Sequence, residues 1–183
     1  MGHGVCPWWI GFLLANPLRK LFQDPAHILA PHVREGMTVL EPGPGMGFFT
    51  LELARRVGAG GRVVAVDLQP EMLAGLRRRA ARAGLSNRIE TRTATEGALG
   101  IDDLAGKVDL VLAFAIVHEL PDAERFFREA RRALAPGGKV LLAEPSGHVR
   151  APEFQATLAA AERAGFTRTA GPTVWRSRTA VLA

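Results

Sequence analysis

The sequence has one cysteine, Cys6, and no tyrosine. A single cysteine excludes an internal disulfide and a multi-cysteine zinc site, and it fits a reducing cytoplasm. Tyrosine's absence excludes nothing by itself. No apolar run is long enough to span a bilayer. The longest near the start, 5–18, is short, lacks basic residues ahead of it and is interrupted by Pro7, Asn16 and Pro17, so neither a signal peptide nor a membrane span is expected. Internal repeats, low-complexity tracts and linkers are also missing. What remains is an ordinary globular composition, 48% hydrophobic and 22% charged over 183 residues, enough for one domain with a sizeable core. The formal charge of +5 comes from arginines. They are scattered as Arg55-Arg56, Arg77 to Arg79, Arg131-Arg132, Arg176 and Arg178, and the first three groups fall on amphipathic stretches. That pattern reads as solvated helix faces rather than a nucleic-acid footprint.

From residue 36 onward, apolar runs alternate with helical periodicity. Strands are expected at 37–41, 62–67, 88–93, 107–117 and 139–144, with two closing strands in 165–169 and 173–183. Helices are expected at 46–57, 70–84, 122–134 and 152–165. Pro70 suits a first helical position, Gly84 a stop, and Asp122 a cap. This alternation implies a doubly wound α/β fold, a mostly parallel sheet covered on both faces. The polar alternation of the third strand suits an edge, and the closing pair suits a hairpin with one antiparallel strand. Residues 1–35 read as a helical N-terminal extension, and 36–183 as the main domain.

In such a sheet, ligands sit beyond the carboxyl ends of the strands. The first strand ends in Glu41, the second in Asp67 and the fifth in Glu144, and the fourth runs into His118-Glu119. After Glu41 comes Pro42-Gly43-Pro44-Gly45-Met46-Gly47. A dinucleotide loop of the form G-x-G-x-x-G would need its third glycine at Phe48, and Pro44 removes one N–H from any anion cradle. The loop admits close backbone approach but suits a nucleoside-like ligand without phosphates.

The E-x-G-x-G-x-G pattern, with Asp67 twenty residues past Gly47, resembles the first two motifs of class I S-adenosylmethionine-dependent methyltransferases. "VDLVLAFAIVHELPD" and "LAPGGKVLLAEP" are similar to the same family's fourth and fifth strand regions, as in its small-molecule members. The resemblance covers roughly 36–182. It implies a Rossmann-like seven-stranded sheet of order 3-2-1-4-5-7-6, S-adenosyl-L-methionine as cofactor and S-adenosyl-L-homocysteine as product. By carry-over, Glu41 and the loop of Gly43, Pro44, Gly45 and Gly47 face the methionine portion. Asp67 accepts both ribose hydroxyls, with Leu68 beside the adenosine. Ala113, Phe114 and Ala115 lie under the methionine and sulfonium. The family often has an acidic residue after the third strand. Here Ala94 and Thr95 stand there and Glu96 comes late, so the adenine reader is left open.

A sulfonium methyl needs an aligned nucleophile and exclusion of water. Thiols need little else, whereas alcohols and amines need a base. His118 is the first candidate base, with a local hydrogen-bonding turn as the bland alternative. Glu144, followed by Ser146 and His148, is the second cluster, able to line an acceptor pocket or simply to cap a turn. The spacing of His118, Glu144 and His148 matches no compact metal motif, so no metal is expected. The extension supplies Trp8, Trp9 and Phe12 as candidate walls of an acceptor lid, with Cys6 and His3 within reach. Plain packing, a membrane-surface contact or a homodimer contact are the alternatives. The expectation is methyl transfer to a small molecule. An RNA methyltransferase, a nucleotide-dependent oxidoreductase and a non-catalytic cofactor-binding module are the rivals. The fourth strand's Ala-Phe-Ala-Ile ending lacks the Asp/Asn-Pro-Pro-aromatic pattern of base-amino methylation, and nucleic acid is not the expected partner.

Overall fold

The computed structural model describes residues 22–95 and 97–183. Trp8, Trp9, Phe12, Cys6, His3 and Glu96 lie outside the described residues. The elements are α1 (Pro25–Leu29), β1 (Thr38–Pro42), α2 (Thr50–Arg56), β2 (Arg62–Asp67), α3 (Pro70–Arg82), β3 (Ile89–Thr93), β4 (Val108–Phe114), α4 (Ala123–Ala133), β5 (Leu134–Pro145), α5 (Ala151–Arg163), β6 (Arg168–Ala170) and β7 (Ser177–Leu182). The seven strands order as β3-β2-β1-β4-β5-β7-β6. Pairings from β3 through β5 are parallel, and β7 runs antiparallel to both β5 and β6. Sheet order, the edge position of β3 and the single reversed strand agree with the sequence-based expectation. Among the described residues, no helix is long and apolar enough to cross a membrane.

Side chains alternate across a strand, and that period of two sorts the core into layers. Leu40, Val64, Val66, Val111, Ala113, Val140 and Leu142 share one cluster with Phe126, Phe127 and Ala130 of α4 and Phe154 and Leu158 of α5. Val39, Val63, Leu110, Leu112 and Leu141 point the other way, against Ile28 and Leu29 of α1 and Leu53 and Ala54 of α2. Ala65 meets Leu73 and Leu76 of α3. Each buried Leu or Phe contributes about 1.5–3 kcal/mol relative to exposure. Part of the extension packs into the core: Ile28, Leu29 and Val33 are buried with Phe49 and Val57, while His27, Ala30 and Pro31 are exposed.

Local chemistry sets the helix limits. Pro70 opens α3, whose Met72, Leu73, Leu76 and Ala80 form the buried stripe. Asp122 caps α4, its Oδ1 accepting the Arg125 N–H at 2.8 Å. Several boundaries differ from the sequence reading. Strand β4 stops at Phe114 rather than 117, β6 covers only Arg168–Ala170, and β7 starts at Ser177 rather than 173. Helix α2 begins at Thr50 rather than at 46, because Gly45 and Gly47 hold left-handed backbone, φ 54° and 85°. Strand β5 begins at Leu134, where it pairs with Val108, and a register shift before Leu110 takes up Pro136-Gly137-Gly138 as an irregularity inside the strand.

Candidate active site

The cleft lies at the carboxyl ends of β1, β2 and β4. Its floor is the glycine loop. Gly43 (φ 65°) donates its N–H to the Val66 carbonyl at 2.8 Å, which pins the loop to β2. A Cβ on Gly43 would lie 2.6 Å from Ile116 Cδ1, so glycine is required by space as well as by φ. Opposite stands Ala115, a non-glycine residue at φ 56°, its N–H donated to the Ala143 carbonyl at 2.7 Å. Backbone held in this region is typical of functional turns.

Two connected hollows share Pro42, Gly43, Gly45 and Ala115. One is lined by Asp67, Leu68, Gln69, Met72, Ala94, Leu99, Ile116, Glu119 and Leu120. The other is lined by Glu41, Pro44, Met46, Phe48, Phe49 and Phe114. The expected cofactor residues Glu41, Gly43, Pro44, Gly45, Asp67, Leu68, Phe114 and Ala115 thus border one cleft. Gly47 lies behind it, where its Cβ would strike Leu76. Ala113 is not on the surface of the cleft. Strand alternation turns it onto the α4–α5 side, where it is fully buried.

The carboxylates carry the electrostatics. Glu41 is buried, and its Oε2 makes no well-formed hydrogen bond, although the hydroxyl of buried Thr50 faces the carboxylate. Burial pushes Glu41 up to about 7 against the opposing pull of Thr50, and the Asp67 carboxylate adds to the rise. Burial likewise pushes Asp67 up to about 6, although its Oδ1 accepts the Gln69 N–H at 2.9 Å. A buried acceptor without a partner is costly unless a ligand donor completes it. The cleft is therefore short of donors at one end, carries a second carboxylate at the end of the next strand, and has an apolar slot of Leu68, Ala94, Leu99 and Leu120 beyond. An ammonium, a ribose and a purine fit these three parts in that order.

The second expected cluster is differently built. Glu144, expected to meet the acceptor, is fully buried, because it follows Val140 and Leu142 on the inward face of β5. Its Oε1 accepts the Val117 N–H at 2.8 Å and the His118 N–H at 3.3 Å, and its Oε2 contacts His118 Nδ1 at 2.5 Å. The Glu144 hydrogen bond raises the His118 pKa, opposed by burial and reinforced by the Glu144 and Glu119 charges. His148 comes up beside His118, ring centroids 6.2 Å apart. Sequence reading missed one feature here. The loop between β6 and β7 returns to this end of the sheet and presents Trp175, 52% exposed and stacked on Phe22 at 4.9 Å. Gln23 donates to the Trp175 carbonyl at 3.3 Å, and Ser146 N–H to that of Arg176 at 2.8 Å. An aromatic within a closing strand gave no signal that it would reach the cleft end.

Comparison with known proteins agrees with this geometry. Residues 39–138 match the methyltransferase domain family. The chain is 35% identical to an arsenite methyltransferase of Halobacterium salinarum over 60% of its own length and 27% of that protein's. It is also 35% identical to a ubiquinone/menaquinone biosynthesis C-methyltransferase of Idiomarina loihiensis, over 65% and 47% of the two lengths. It therefore spans less than half of either relative. The crystal structure of a SAM-dependent methyltransferase from Aquifex aeolicus superimposes with a TM-score of 0.84, at 26% identity and covering 98% of each chain. The fold is that of class I S-adenosylmethionine-dependent methyltransferases. The chain belongs to the methyltransferase domain family.

Proposed function

We propose that this protein transfers a methyl group from S-adenosylmethionine to a small organic acceptor, held beyond the carboxyl ends of β4 and β5. The observation that carries this reading is the buried Glu41 carboxylate, its Oε2 without a well-formed hydrogen bond, facing a glycine-floored cleft one strand away from Asp67. Glu41 would hold the ammonium of the cofactor's methionine portion. Asp67 would hold the ribose hydroxyls, and Leu68, Ala94, Leu99 and Leu120 the adenine. Gly43, Gly45 and Ala115 permit close backbone approach. Once bound, the cofactor supplies an activated methyl on a sulfonium. The protein's part is to orient the acceptor and exclude water.

Phe114, His118, His148 and Trp175 would border the acceptor. The Phe22–Trp175 stack and the Gln23 hydrogen bond tie the first described residues to the β6–β7 loop. A metalloid acceptor is disfavoured: such soft centres are held by several thiolates, and these 183 residues carry one cysteine. A nucleic-acid acceptor is disfavoured because arginines are spent on local pairs, as with Arg55 and Arg56 to Glu52, Arg92 to Asp103, and Arg128 and Arg163 to Glu124.

The test is calorimetric titration with S-adenosylhomocysteine, with NADH in parallel. Micromolar binding of the first alone supports the reading, and binding of NADH alone overturns it. Removal of residues 1–21 asks whether that segment serves acceptor turnover, as the sequence suggests. Cofactor affinity should hold within about twofold while acceptor turnover falls by roughly 100-fold, the scale of losing positioning.

A further inference from the structure

Resting on the methyl-transfer reading, we infer that Glu144 is a positioning residue that aims His118 as the base for the acceptor. The acceptor is then a weakly acidic hydroxyl, phenolic or enolic, rather than a thiol.

Glu144 is fully buried in an apolar layer between β5 and the α4–α5 side. Burying a carboxylate costs several kcal/mol unless it is paired and hydrogen-bonded. Here the compensation is specific. One oxygen takes two consecutive backbone N–H groups, of Val117 and His118, and the other meets the His118 ring. A plain turn pin would need only the backbone bonds.

An ionised carboxylate only accepts, so Nδ1 of His118 must donate. In the neutral ring, Nε2 is then the nitrogen with a free lone pair. The tautomer is set by Glu144, which cannot itself reach a substrate. His118 keeps 16% of its side chain exposed. Its chain neighbours Ile116 and Glu119 line the Asp67 hollow, but His118 does not. It stands on the β4–β5 side, where His148 also lies. The groups that face the ring are Glu144 from β5, Glu119 from its own turn, 4.0 Å from Nε2, and His148 from the segment after β5.

This arrangement is redundant for a thiol, already partly ionised near neutral pH, with an ordinary pKa about 8.5. A phenol, like the tyrosine side chain with a pKa of about 10, keeps its proton. In the step, the acceptor oxygen, or the ring carbon conjugated to it, takes the methyl group. The bonding pair stays on the sulfur, and the acceptor's proton passes to Nε2. The imidazolium so formed is held by the Glu144 carboxylate.

The test uses ¹⁵N-histidine protein saturated with S-adenosylhomocysteine. His118 signals are assigned by their loss in His118→Gln. Long-range ¹H–¹⁵N correlations should show the neutral ring protonated at Nδ1, titrating above the ordinary imidazole value. In Glu144→Gln the amide can still accept from Val117 while its NH₂ faces Nδ1. The tautomer should invert to Nε2–H and the pKa should fall, with cofactor affinity within about twofold. Glu144→Asp keeps the charge and should keep the Nδ1–H tautomer, which separates tautomer control from lost packing. With catechol as probe acceptor, turnover should drop by roughly 100-fold in both His118→Gln and Glu144→Gln, the low end for lost general-base catalysis. A wild-type ring protonated at Nε2 would overturn the inference, as would methylation of catechol at equal rates by wild type and His118→Gln. Failure of wild type to bind S-adenosylhomocysteine would instead remove the methyl-transfer reading itself.

Discussion

Glu41 and Asp67 end adjacent parallel strands, and both carboxylates are held above their ordinary range, at about 7 and about 6. Burial is the main cause at each; the Asp67 charge adds to the rise at Glu41, and the Glu119 charge to that at Asp67. A cleft with two such groups binds a cationic, hydroxyl-rich ligand in a pH-dependent way. The ionised forms accept hydrogen bonds. Cofactor affinity is therefore expected to fall as pH drops from 8 through 7 and then 6. Calorimetry with S-adenosylhomocysteine across that range checks this, and a flat profile would contradict it.

Glu41→Gln separates stability from function. In the folded protein without ligand, Glu41 titrates above its unfolded value. The stability present when it is protonated, below pH about 4.5, is lost as pH rises toward 7. A glutamine has no charge to bury. The variant should be more stable than wild type at pH 8, by on the order of 2 kcal/mol. It should also bind S-adenosylhomocysteine roughly tenfold more weakly, through loss of a charged hydrogen bond. Thermal melts and calorimetry at pH 8 and pH 5 read both effects.

Asp67→Ala removes two hydrogen bonds to a charged acceptor, each worth about 1.5–3 kcal/mol. Affinity for S-adenosylhomocysteine should fall by roughly 100-fold or more. The melting temperature without ligand should be unchanged or higher, since a partly buried carboxylate is lost. Unchanged affinity would show that the ribose sits elsewhere.

Gly43→Ala places a Cβ against Ile116 at a left-handed φ. Both the strain and the clash push the loop off the Val66 carbonyl. A loss of at least about 1 kcal/mol in stability is expected, with weakened cofactor binding. Gly84→Ala, also at positive φ but with nothing near its Cβ, controls for backbone strain alone.

Phe127 is fully buried between the sheet and α5, in edge contact with Phe126 and Phe166. Phe127→Ala should cost about 3–5 kcal/mol and lower the melting temperature by roughly 10 °C or more.

Much of this was legible in the chain. Strand β4 announced itself because a central strand buried on both faces is apolar almost throughout, here from Val108 to Phe114 with Asp109 as the exception, and β3 because an edge strand alternates. Asp67 and the glycine loop could be placed because their meaning is tied to strand ends. What escaped depends on contacts across the sheet. Nothing in "LAEPS" says that Glu144 is sealed from solvent; the Val117–His118 turn, which follows β4 and hydrogen-bonds its carboxylate, closes that side. Ala113 and Ala115 are alike in sequence, yet one is core and the other borders the cleft, because the strand ends between them. The start of α2 was misplaced because apolar periodicity runs through Met46 to Phe49, while the preceding glycines hold a turn.

The reversed course of β7 has a wider consequence. Because β6 and β7 form a hairpin at the far edge, residues 171–176 can lengthen, shorten or change chemistry without disturbing the register of β1 with β2. Yet this loop touches Ser146 and Gln23, on the side where the proposed acceptor would sit. The molecule thus separates a cleft fixed by its parallel strands from an edge open to variation. On the proposed reading, that hairpin is where a changed acceptor preference can be built without altering the cleft.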